Sequence, residues 1–123
     1  MINFFHECVP PTATAQQRRH NRNGQSYLPP SVKRAAAMLR AIFEQYAPAE
    51  PLTGPLQVTI TWTWEGDNIG PMGNGPDLDN LCKLALDAGT KTRYWLDDKQ
   101  VCLLNLGKFK GPVSGIGFMC KQA

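Results

Sequence analysis

The chain has 123 residues, 42% of them apolar and 19% charged, enough for one compact domain over 1–123 with its own core and too little for two. No run approaches the roughly 20 consecutive apolar residues of a membrane span, and the N-terminus lacks the basic-then-apolar pattern of a signal peptide, so a cytoplasmic protein with no membrane partner is expected. The net charge of +3 is unevenly spread: residues 1–47 carry six Lys/Arg against two acids, 48–79 carry five acids and no base, and 99–123 carry four lysines and no acid, a distribution suited to holding a polyanion beside gathered carboxylates.

In chain order, Ile2 to Val9 is rich in Phe and β-branched residues and stops at Pro10-Pro11, which predicts a strand. Pro10 to Pro30 shows no periodicity and reads as a long loop carrying Arg18, Arg19, His20 and Arg22. Ser31 offers an N-cap, and Ala35, Leu39, Ile42, Phe43 and Tyr46 recur at helical spacing, predicting a helix over 32–47. Leu56 to Trp64 alternates without a fault, predicting a strand that buries Leu56, Val58, Ile60, Trp62 and Trp64 and turns Gln57 and its threonines outward. Gly66 to Pro76 is a loop by its glycines and prolines and carries neither Lys nor Arg. Pro76-Asp77 opens a second helix that buries Leu78, Leu81, Cys82 and Ala85 and is expected to leave at Gly89. Val101 to Leu106 and Ser114 to Cys120 read as strands joined near Lys110-Gly111-Pro112 into a hairpin. The order β-α-β-α-β-β predicts an α+β fold, a small mixed sheet with two helices packed on it. Cys8, Cys82, Cys102 and Cys120 match no zinc-knuckle or CxxC spacing and read as buried thiols.

Asp77 and Asp79 flank Leu78 at the second helix start, and Lys83 and then Asp87 follow at intervals of four on the Asp79 face. Taken singly, such aspartates are helix-dipole and surface-pair residues worth about 0.3 to 1 kcal/mol, and Asp97-Asp98 is a turn entering a strand. Together, a helix start and a returning loop bring Asp77, Asp79 and one of Asp97 or Asp98 toward one point. Like charges about 4 Å apart repel by about 4 kcal/mol at an effective dielectric of about 20, so such a cluster calls for a cation. Hard oxygen ligands select Mg2+, with Mn2+ as a substitute. Carboxylate-held Mg2+ suits phosphodiester hydrolysis, and Lys83 is placed to stabilise the added charge of the transition state or to hold the scissile phosphate.

The run Asp77-Leu78-Asp79-Asn80-Leu81-Cys82-Lys83-Leu84-Ala85-Leu86-Asp87-Ala88, followed by Tyr94-Trp95-Leu96-Asp97-Asp98-Lys99-Gln100-Val101, resembles the RusA family of Holliday junction resolvases. Pro10-Pro11 and Arg19-His20-Asn21-Arg22 resemble the family more loosely. The resemblance implies Asp77, Asp79 and Asp98 as metal-binding catalytic carboxylates and Lys83 as the catalytic lysine. Asp97 and Asp87 take supporting roles, Asp97 behind the ligands and Asp87 as a helix-face partner of Lys83. It further implies Mg2+-dependent cleavage of four-way or other branched DNA by paired symmetric nicks in recombination and repair, a homodimer, and no small-molecule cofactor. Compact resolvases of this type are often encoded by prophages.

Arg18, Arg19, His20 and Arg22, with Lys33 and Arg34 at the following helix start, are the candidate phosphate contacts. No helix-turn-helix, zinc finger or RNP pattern is present, so recognition by branched shape is expected. Two symmetric nicks need two sites, and a chain with a radius of gyration of roughly 14 Å has room for one, so a two-fold dimer is expected. The tryptophans read as core, with Trp95 anchoring the loop that presents Asp98. The competing functions are a noncatalytic branched-DNA binder that keeps the carboxylates as helix caps, and a nuclease for other branched or flap DNA.

Overall fold

The computed structural model describes residues 1–12, 29–66 and 76–123, together with the backbone of 19–20 and 26–27. The elements are β1 (Ile2–Glu7), β2 (Arg19–His20), β3 (Ser26–Tyr27), α1 (Pro30–Gln45), β4 (Leu56–Trp64), α2 (Leu78–Lys91), a 3-10 turn at Asp98–Gln100, β5 (Val101–Lys110) and β6 (Gly115–Gln122). The α+β class and the main element order are those expected. Within the predicted long loop, β2 and β3 form a short antiparallel ribbon. Arg18 and Arg22, and the greater part of the Gly66 to Pro76 loop, lie outside the described residues.

The main sheet has the order β1-β6-β4-β5 and is mixed: β6 is antiparallel to both β1 and β4, whereas β4 and β5 run parallel. The expected hairpin of β5 with β6 is therefore corrected. β4 lies between them, and the Gly111 N–H donates to the carbonyl of Trp64 at 3.0 Å. The physical reason is that β4 carries the most continuous buried face and gains most from a partner on each edge. Its parallel neighbour is then reached through α2, the usual connection for parallel strands.

Leu56, Val58, Ile60, Trp62 and Trp64 of β4 are all buried, as its alternation predicts, while Gln57 and the threonines are half-buried on the opposite face. Both helices pack on the first face. Leu39, Ile42 and Phe43 of α1 and Leu81, Leu84, Ala85 and Ala88 of α2 join Ile116 and Phe118 of β6 in one core. Each fully buried large side chain contributes about 1.5–3 kcal/mol relative to exposure. Tyr46, at the end of α1, is partly exposed and stacks on Phe4 with ring centroids 4.1 Å apart.

Three local expectations change. α1 begins at Pro30 in its first turn, without a side-chain cap from Ser31, because proline there forfeits an N–H that would lack a partner anyway. Gly89 does not end α2, which continues to Lys91. The helix leaves instead through Arg93, at φ 66°, with the Arg93 N–H donating to the Thr90 carbonyl and the Tyr94 N–H to the Gly89 carbonyl, the double bond of a Schellman ending. The cysteines are all free, but only Cys82 and Cys120 are buried. Cys8 is half-buried, and Cys102 on the edge strand β5 is exposed. Among the described residues no helix is long and apolar enough to cross a membrane.

Candidate active site

The start of α2 is set by Asp77, which is extended at φ −69° and ψ 146° while its carbonyl accepts the first helical bond from the Leu81 N–H at 3.1 Å. Aspartate at this position commonly caps the helix with its side chain. Here the Asp77 carboxylate makes no capping bond and is exposed. Asp79, in the first turn, is also exposed, and its Oδ1 accepts the Asn80 N–H at 3.0 Å. Both sit where the helix dipole favours negative charge and where anions, phosphate included, are readily held nearby by backbone N–H groups. Lys83 is exposed one turn on, and no ion pair ties it to Asp79 or Asp87 among the described residues. Asp87 instead lines a small cavity between α1 and α2 together with Arg40 and Lys91.

Asp97 and Asp98 are sorted by the loop that follows α2. Trp95 is fully buried, its ring lies against Gly89 so closely that a Cβ there would overlap it, and its indole N–H donates to Thr90 Oγ1 at 2.8 Å. Gly89 is thus a site of close approach. From this anchor the chain turns into a capping box: Asp97 Oδ1 accepts the Lys99 N–H at 2.9 Å, and Gln100 Oε1 accepts the N–H groups of Leu96 at 3.1 Å and Asp97 at 3.2 Å. Gln100 Nε2 donates in turn to the carbonyls of Leu52 and Gly54 at 3.0 and 3.1 Å. Asp97 is therefore engaged as a cap, whereas Asp98 is exposed and makes no such bond.

The 3-10 turn packs against α2, so Asp98 stands on a segment in contact with the helix that carries Asp79. Burial raises the Cys82 thiol above its ordinary range, and the negative charges of Asp79 and Asp98 raise it further. A single thiol on α2 thus feels carboxylates from both segments. Among the described residues, no three His, Cys, Asp or Glu side chains converge as a metal cage. Magnesium commonly takes only one or two protein carboxylates and completes its shell with water and substrate phosphate, so uncommitted, exposed aspartates suit it.

Of the basic residues, Lys33 and Arg34 are exposed in the first turns of α1, and Arg19 and His20 belong to β2. Sequence reasoning missed Lys108. This β5 residue is half-buried and donates from Nζ to the carbonyl oxygen of Pro76 at 3.0 Å, one residue before Asp77. No local pattern marks it, because the contact exists only once β5 lies parallel to β4 under the start of α2.

Compared with known proteins, residues 9–117 match the family model of endodeoxyribonuclease RusA. No curated protein matches the chain.

Proposed function

The chain belongs to the RusA endodeoxyribonuclease family, and from that membership we propose that it resolves Holliday junctions in the cytoplasm by Mg2+-dependent, paired symmetric nicking. The observation that carries the reading is the division of labour between adjacent aspartates: Asp97 is consumed as a cap, and Asp98 is left free in a turn that packs against α2, the helix that carries Asp79. Asp77, Asp79 and Asp98 are the residues from which the ion would draw its carboxylate ligands, with water and substrate phosphate completing the shell. Bound there, Mg2+ supplies Lewis-acid polarisation of the scissile phosphate and a lowered pKa for the attacking water, and Mn2+ can do the same.

The protein's own groups supply the rest. Lys83 offers an ammonium, unpaired among the described residues, to the charge that develops on the phosphate. The first turn of α2 orients that phosphate with its N–H groups. Arg18, Arg19, His20, Arg22, Lys33 and Arg34 bind the backbone phosphates of the junction arms and fix its register without reading bases. A homodimer provides the second site for the paired nick.

The test is a labelled four-way junction incubated with Mg2+ and wild-type protein or Asp79→Asn. The expected result is symmetric nicks from the wild type, and at least a 100-fold loss of cleavage with junction binding kept for the variant. A persistent gel shift without product from the wild type at every Mg2+ concentration would identify a noncatalytic binder. Equal or faster rates on forks and flaps would move the substrate to other branched DNA.

A further inference from the structure

Asp77, at the N-cap position of α2, makes no side-chain capping bond. Yet this is the point from which Asp77 and Asp79 must be aimed. Lys108 is the group that reaches it. On β5 it stands opposite Trp62 of β4 in the parallel register, on the sheet face that carries the helices, and its Nζ donates to the Pro76 carbonyl at 3.0 Å. The same strand begins at the turn that presents Asp98. Lys108 thus ties the strand behind one carboxylate to the helix entry that carries the other two.

We infer that Lys108 is a positioning residue of the carboxylate site: its charge-assisted bond fixes the Pro76 carbonyl, and so the direction in which α2 starts and presents Asp77 and Asp79. A charged donor on a carbonyl is a stronger tether than a neutral one, and a half-buried side chain loses less of it to water. The inference rests on the reading of Asp77, Asp79 and Asp98 as the metal ligands. It also has a definite sign. If Lys108 acted only through its positive charge, removing it would tighten binding of a divalent cation. Acting by position, its removal loosens that binding.

The experiment compares wild type with Lys108→Met, which keeps an apolar stem and loses the ammonium donor, and Lys108→Arg, which restores a charged donor. Mn2+ binding is followed by calorimetry, junction binding is measured in EDTA, and amide exchange is read at Leu81, whose N–H donates to the Asp77 carbonyl. The expected result for Lys108→Met is at least fivefold weaker Mn2+ binding, faster exchange at Leu81 and junction affinity within twofold of wild type. Lys108→Arg should recover most of the Mn2+ affinity. Mn2+ binding by Lys108→Met that equals or exceeds wild type overturns the inference. Where Lys108→Met fails to fold, Lys108→Gln, one bond too short to reach Pro76, is read by the same criteria. A wild type that binds no Mn2+ and cleaves no junction overturns the metal-site reading itself, a result distinct from a wild type that binds and a variant that matches it.

Discussion

Asp97 and Asp98 share charge, size and neighbourhood, and the backbone of the 3-10 turn separates their roles. The Asp97 carboxylate accepts the Lys99 N–H, so replacing it with alanine leaves a helix-end donor without its partner. Such cap losses cost about 1 kcal/mol, a fall in Tm of roughly 3–6 °C for a domain of this size. Asp98 is exposed and caps nothing. Asp98→Asn is accordingly expected to melt within about 1 °C of wild type, as surface changes usually do, and to lose cleavage. Asp97→Ala should melt early and keep part of its activity. Thermal denaturation paired with the junction cleavage assay checks both, and a large stability loss in Asp98→Asn would show that its carboxylate is structural.

At the scale of elements, α2 and the loop after it behave as one unit, because Trp95 folds back on the helix it has just left. The Gly89 position has no room for a side chain, so Gly89→Ala must push the Trp95 ring or the helix aside. Overpacking of this kind costs about 1–3 kcal/mol. Trp95 stands two residues before the capping box, and the displacement is expected to carry through to Asp98. Gly89→Ala should therefore lower cleavage more than Asp97→Ala does at a temperature where both are folded. Circular dichroism melts and cleavage rates measured together decide it; a variant with wild-type rates would mean that Trp95 does not set the position of Asp98.

Across the whole molecule, the core contains acid groups held neutral. Tyr94 donates to the Phe43 carbonyl at 2.5 Å inside an aromatic cluster with Phe43 and Phe118. Burial pushes its hydroxyl well above the ordinary range and pushes the Cys120 thiol from about 9 up to about 11. In the unfolded chain these groups ionise near their ordinary values. Between those values and the raised ones the unfolded state holds fewer protons than the folded state, so stability falls as pH rises. The contribution of Cys120 is complete below about pH 9 and is lost as pH climbs toward about 11. The Tm should be level from about pH 7 to 8 and decline above about pH 9, with a shallower decline in Cys120→Ala. A melt that stays level to pH 11 would place both groups in contact with water.

Local chemistry sufficed for the parts of this protein whose cause lies within a few residues. The alternation of Leu56 to Trp64 predicts β4 and its buried face because side chains on a strand alternate whatever the partner. The Asp-x-Asp-Asn run and the Asp97-Asp98 pair point to the family because their spacing is a property of the linear chain itself. Strand order, in contrast, is a competition among distant segments for the two edges of β4, and a plausible turn at Lys110-Gly111-Pro112 says nothing about which strand wins. The end of α2 is decided by Trp95 seated on Gly89, and the choice between Asp97 and Asp98 by a capping box anchored to Leu52 and Gly54. Lys108 meets Pro76 across 32 residues of sequence. Each of these depends on side chains meeting through space after the core has formed, and only the folded chain brings them together.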